Sequence, residues 1–190
     1  MDSINEQSPP GKAAGITFEV GVCKLYPGEK LPRHDPRWGA HTRNFHAETH
    51  NIESLAQVVA VNGFAISAVM RKSYRHEDNW EHGQHIALDY DQETKESSIE
   101  ELITTPFIED HAAIVYETPS STPGKPRSRL VFVVNQPFDS AKDYRQATEA
   151  LIQKFSGVDE ACKDPAHFFY GRPDAKHVIL GNVLYRDILQ

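Results

Sequence analysis

The stretch Ile86-Ala87-Leu88-Asp89-Tyr90-Asp91 decides how the rest of the chain is read. Three apolar residues lead into two acids at alternate positions. Side chains alternate faces along a strand, so Asp89 and Asp91 share one face. Carboxylates held a few ångströms apart repel unless something positive sits between them. A divalent cation meets that need: hard cations such as Mg²⁺ and Mn²⁺ take oxygen ligands, and a pair of them can clamp a phosphoryl transfer. The plainer reading is a strand end with two solvated acids before a turn. The D-x-D pattern alone does not separate the two.

Residues downstream bear on the choice. A metal site needs a third acid, and Asp159 and Asp164 are the candidates. Both sit in the loop Gly157–Pro165, after a well-marked helix, where a side chain can be aimed at a neighbouring strand. Either one alone also reads as an ordinary turn acid. The loop Ser120-Ser121-Thr122-Pro123-Gly124-Lys125-Pro126-Arg127-Ser128-Arg129 combines hydroxyls and cations and opens onto an apolar strand. If that strand lies beside the D-x-D strand, Arg127 or Arg129 faces bound metals and a triphosphate. Arginine suits phosphate because its planar fork donates two parallel bonds. The competing reading is a solvated hairpin loop.

The elements follow from periodicity. Ile16, Phe18, Val20 and Val22 alternate with polar residues and glycine, so Gly15–Tyr26 reads as a strand. Glu29–Glu48 is an irregular Pro-, His- and Arg-rich segment, of a length often tied to function or disorder. Asn51 caps a helix through Val59 that Asn62-Gly63 stops. Phe64–Met70 is a short apolar strand. A basic cluster containing Arg71, Lys72 and Arg75 follows, the expected contact for nucleic acid. Glu77–Gly83 reads as a polar loop. Ser98–His111 is helical but interrupted at Pro106. Ala112–Tyr116 and Arg129–Asn135 are strands. Asp139 or Ser140 caps the clearest helix, which runs to Gly157. Residues 158–174 are irregular apart from Phe168-Phe169-Tyr170. That aromatic stretch reads as a core strand or as a surface that stacks a base. Val178–Leu180 and Val183–Tyr185 around Gly181-Asn182 read as a hairpin. Strands joined by a short loop are antiparallel, so the class is α+β.

Composition sets bounds. The chain has 190 residues, 39% of them hydrophobic and 25% charged, which suits one globular domain with a real core. Residues 1–14 read as a flexible tail. No 18-residue apolar run predicts a membrane span, and the N-terminus lacks the apolar core of a secretory signal. Two cysteines make no disulfide framework and favour a reducing, cytoplasmic setting. A net charge of −7 argues against a broad basic nucleic-acid surface but leaves room for a local basic cleft. The histidine groups His41/His46/His50 and His76/His82/His85 come with no cysteine, which argues against structural zinc. His85 reads as a strand-edge residue. No P-loop and no G-x-S-x-G elbow is present.

The order of these features resembles the archaeo-eukaryotic primase superfamily, in particular primase-polymerase domains of phages, plasmids and other mobile elements. The resemblance spans roughly residues 50–190. It rests on the hydrophobic strand ending in Asp89-x-Asp91 and on the stretch Asp159-x-Ala161-Cys162-Lys163-Asp164-Pro165-Ala166-His167-Phe168-Phe169-Tyr170-Gly171. It implies an RRM-like antiparallel or mixed sheet with helices on one face (86–190), joined to an N-terminal α/β unit (15–85). It implies a DNA-dependent nucleotidyltransferase with two divalent cations, Mg²⁺ or Mn²⁺, held by Asp89, Asp91 and Asp159, with Asp164 the rival. Nucleotide contacts would come from Ser121, Lys125, Arg127, Arg129, His167 and Arg172. The family's Ser-x-His motif is where this chain departs: Arg129 stands in the place of the histidine. Implied partners are a single-stranded DNA template, NTPs or dNTPs, and a helicase domain or other replication partner outside this chain. Two other readings use the same residues: a catalytically silent RRM-like module binding single strands, and a metal-dependent nuclease.

Overall fold

The structure, a computed structural model, describes residues 15–189. The tail expected at residues 1–14 lies outside them. In chain order the elements are β1 (Phe18–Cys23), α1 (Trp38–Thr42), β2 (His46–His50), α2 (Ile52–Ala56), β3 (Ala65–Ser67), β4 (Val69–Met70), β5 (Trp80–Tyr90), α3 (Ile99–Leu102), α4 (Pro106–His111), β6 (Ile114–Glu117), β7 (Ser128–Phe138), α5 (Ala141–Ile152), β8 (Phe168–Phe169), β9 (His177–Ile179) and β10 (Val183–Leu184). The class is α+β, as the strand pattern predicts.

Two sheets form. The first has the order β2-β1-β3-β8, antiparallel throughout. The second has the order β4-β5-β7-β6-β9, also antiparallel, with β10 lying parallel to β7. Strand β7 is the spine. Leu130 to Val134 are fully buried, which is why this stretch reads as a continuous apolar run rather than an alternating one. Helix α5 covers β5 and β7 with Tyr144, Ala147, Thr148, Leu151 and Ile152, the spacing read from the sequence. Its cap is Ser140, whose hydroxyl accepts from the Asp143 amide.

Several boundaries differ from the sequence reading, each for a physical reason. The irregular segment 29–48 contains α1 and most of β2. An edge strand whose side chains are mostly solvated shows no apolar alternation, and His46-Ala47-Glu48-Thr49-His50 is such a strand. Phe64–Met70 is two strands, β3 in the first sheet and β4 in the second, with the chain crossing between them at Ala68. The expected polar loop 77–83 is half strand, since β5 begins at Trp80. The helix after Ser140 ends at Ile152, short of Gly157. His85 is not at an edge: it is fully buried in β5, opposite Val133. The expected C-terminal hairpin is absent. β9 is antiparallel to β6 and β10 is parallel to β7, so β9 and β10 run in the same direction. The Leu180 and Gly181 amides both donate to the Ala113 carbonyl, where β6 is about to begin. Beyond that point the edge of β7 is open, and β10 fills it.

Candidate active site

The D-x-D strand and the arginine strand are neighbours. Asp89 in β5 stands directly opposite Arg129 in β7, and Arg129 stands opposite Tyr116 in β6. Directly opposed residues share a face, so the three side chains meet. Arg129 grips Asp89 with two bonds, Nε to Oδ1 at 2.5 Å and Nη2 to Oδ2 at 3.0 Å. Its Nη1 donates to the Tyr116 hydroxyl at 2.8 Å and to the Tyr170 carbonyl at 2.5 Å. The guanidinium lies over the rings of Phe169 and Tyr116. Its side chain is 5% exposed and that of Asp89 is 13% exposed, so the pair is nearly dry. Burial alone would lower the pKa of Arg129, but the Asp89 charge outweighs it and holds the pKa above the ordinary value.

Backbone pairing brings the third acid to the same place. The Asp159 amide donates to the Asp89 carbonyl at 2.9 Å, and Val158 bridges Tyr90. Asp89, Asp91 and Asp159 therefore line one cavity of about 370 Å³. Asp164 does not line it. Its carboxylate accepts from the Ala166 amide at 2.9 Å. The Asp91 pKa is raised, first by burial and then by the Asp89 charge, with Arg127 and Lys30 opposing. The remaining walls are Lys30, Leu31, Pro32, Arg33 and Trp38, the loop 118–120, Arg129, and His167, Phe168 and Tyr170.

The other expected contacts sort themselves by geometry. Arg127 pairs with Glu93 and reaches Asp91 only at 3.9 Å. Lys125, on the far side of a tight Thr122–Lys125 turn, pairs with Glu93 at 2.8 Å. The Ser121 hydroxyl accepts from the Arg127 amide at 3.2 Å. Arg172 pairs with Glu117 at 2.9 Å. None of these four lines the cavity. His167 does, and burial lowers its pKa, so it is neutral. In the basic cluster, Arg71 donates to the Asp78 carbonyl and Lys72 is exposed. Arg75 instead packs over Phe168 and Trp38 and donates to the Ala166 carbonyl at 2.8 Å, behind the cavity wall. The sequence reading missed Lys30, Arg33 and Trp38. Their only signal was membership of a long segment without periodicity.

The acids suit a hard cation by chemistry: three carboxylates line one cavity, and burial followed by the Asp89 charge raises the Asp91 pKa. As they stand, both Asp89 oxygens are engaged by Arg129. Asp91 and Asp159 keep oxygens that no protein cation approaches closely. Among the described residues, no group of three or more His, Cys, Asp or Glu side chains is gathered tightly enough to hold an ion. Cys162, whose thiol accepts from the Asp89 amide, is pushed up to about 12 by burial and by Asp89, which rules it out as a nucleophile.

The fold is similar to that of one solved structure. That structure is the AEP domain of the cyanophage S-2L primase-polymerase. The match has a TM-score of 0.50 at 12% sequence identity, covering 91% of this chain and 86% of that one. No protein-family model matches the chain, and no curated protein matches it in sequence. Among the described residues, no helix is long and apolar enough to cross a membrane.

Proposed function

We propose that the chain is a nucleotidyltransferase of the primase-polymerase type, adding NTPs or dNTPs to a 3′-hydroxyl on a single-stranded DNA template. One observation carries this: in a fold similar to a primase-polymerase domain, backbone pairing brings Asp89, Asp91 and Asp159 from two distant segments into one cavity. The second sheet is then the RRM-like unit (86–190) and the first the core of an N-terminal unit (15–85). The two interlock, since β8 joins the first sheet and β4 the second.

In the transfer, the 3′-oxygen bonds to the α-phosphorus, the bond to the bridging oxygen breaks, and pyrophosphate leaves as the hydroxyl proton passes to water. Asp91 and Asp159 are the residues that would hold a divalent cation, Mg²⁺ or Mn²⁺. When bound, such an ion supplies positive charge against the reacting phosphate and the leaving group. Asp89 contributes by fixing Arg129, and the pair presents a rigid dipole rather than a net charge to the cavity. Tyr116 and the Tyr170 carbonyl hold the guanidinium in turn. A preorganised dipole of this kind needs no reorganisation during reaction.

A second reading, the silent single-strand-binding module, is favoured by one observation, the commitment of both Asp89 oxygens to Arg129. A gel assay separates them. Protein is mixed with a single-stranded template, labelled NTPs or dNTPs and Mg²⁺ or Mn²⁺, with and without a primer. Templated product that vanishes in Asp91→Asn supports the transferase. Asp91 is the better control because it is partly exposed, so its loss leaves the fold intact. Strand binding without product supports the module, and shortening of an end-labelled template run in parallel indicates a nuclease.

A further inference from the structure

The cavity has two unlike groups of lining residues. Asp89, Asp91 and Asp159 are one. Trp38, Phe168 and Tyr170, joined by ring contacts, are the other, and Lys30 and Arg33 line the same cavity. Trp38 belongs to a structured segment rather than a loose loop. Arg37 bonds Asp35 and Glu29, and the Trp38 amide closes a turn onto the Asp35 carbonyl at 2.9 Å. The Leu31 amide donates to the Tyr170 hydroxyl at 3.1 Å, which ties the segment to the cavity floor. Trp38 is only half-buried. It meets Phe168 edge-on at 5.8 Å and lies near His41, with Arg75 behind. Among the described residues, Lys30 and Arg33 enter no ion pair, although most other cations of this acidic chain do. Lys30 lies near enough to Asp91 to oppose the rise in its pKa, and Arg33 near enough to Arg75 to add to the lowering that burial causes there. The cations thus span from the acids to the aromatic wall.

We infer that this cavity is a nucleoside triphosphate site, in which the base stacks on Trp38 and the phosphates lie between Lys30, Arg33 and the acids. The inference rests on the transferase reading and adds which residues hold its substrate. An aromatic face accepts any base, because every base has a π-surface, while exposed unpaired cations favour polyanions. A volume of about 370 Å³ lies within the roughly 300–1,000 Å³ typical of small-molecule sites.

Trp38 is also its own reporter. The other tryptophan, Trp80, is buried with an indole N–H that has no partner, so Trp80→Phe removes an unpaired buried donor at the cost of a small cavity and leaves Trp38 as the sole tryptophan. In that background, ATP or dATP with Mg²⁺ should quench the emission saturably. Inorganic triphosphate should compete without quenching. Lys30→Gln and Arg33→Gln, both exposed positions, should weaken both ligands. Trp38→Leu should weaken nucleotide alone by about tenfold or more, the loss of one base–aromatic stack. Nucleotide bound by calorimetry with Trp38 silent and Trp38→Leu unaffected would overturn the assignment and leave the transferase reading standing. Quenching by oligo(dT) but not by nucleotide would overturn it in favour of a template site. No nucleotide bound at all would overturn both.

Discussion

The Asp89–Arg129 pair is the most exposed consequence of this arrangement. Replacing Asp89 by Ala leaves a guanidinium with almost no solvent access and no countercharge. Breaking one partner of a buried ion pair costs about 3–5 kcal/mol. A domain of this size has about 5–15 kcal/mol in total, and each kcal/mol moves the melting temperature by about 2–4 °C, so the variant should melt roughly 6–20 °C lower. The Arg129→Met change strands the Asp89 carboxylate and also frees the Tyr116 hydroxyl and the Tyr170 carbonyl, so it should cost at least as much. The double variant removes both charges. It should be more stable than the sum of the singles predicts, by about 2 kcal/mol or more. Urea denaturation followed by circular dichroism gives the cycle, provided the denaturant slope is unchanged. An Asp89→Ala protein within about 1 kcal/mol of the parent, or strict additivity in the double variant, would refute the reasoning. The same arithmetic makes Asp89→Ala a poor catalytic control.

Three other outcomes are expected. His85 and His41 are buried with unpartnered ring nitrogens, and burial lowers both to about 4. The unfolded chain then binds more protons below its ordinary value of about 6.5, so stability should fall as pH falls, by about 2 kcal/mol per histidine between pH 7 and 5. His85→Leu should flatten that slope in urea titrations, and an unchanged slope would exclude His85 as its source. Gly171 approaches other backbone closely: a Cβ there would lie 2.3 Å from the Phe64 carbonyl oxygen and 2.6 Å from that of Val59. Gly171→Ala should therefore cost about 1–3 kcal/mol by thermal melting, and a neutral result would mean that the segment moves freely. Asn51→Ala should cost about 1 kcal/mol, because the Asn51 side chain accepts from the Ser54 amide while the Ser54 hydroxyl accepts from that of Asn51.

How far the site is legible from sequence depends on how local its causes are. Period 2 places Asp89 and Asp91 on one side of the sheet, and the apolar run Leu130–Val134 marks the central strand beside it. Both follow from neighbours in the chain. The choice of Asp159 over Asp164 as a cavity residue does not, because it depends on Val158 pairing with Tyr90 and on the Asp159 amide reaching the Asp89 carbonyl. Trp38, Lys30 and Arg33 are silent in sequence for a related reason. Lys30 and Arg33 lie in a stretch ordered by side-chain bonds from Arg37 and Tyr170, and Trp38 opens α1, a five-residue helix too short to show a period. The C-terminal strands mislead because Gly181-Asn182 carries the chemistry of a hairpin turn. In fact the chain only steps from the edge of β6 to the edge of β7.

The most direct test of the proposed centre compares Asp159→Asn with Asp164→Asn in single-turnover primer extension. In both variants an amide oxygen can still accept the local backbone bond, so neither should unfold. If the cavity is the catalytic centre, Asp159→Asn should slow nucleotide addition by about 100-fold or more, while Asp164→Asn stays within a few-fold of the parent. Equal activity in Asp159→Asn, or a loss confined to Asp164→Asn, would contradict it.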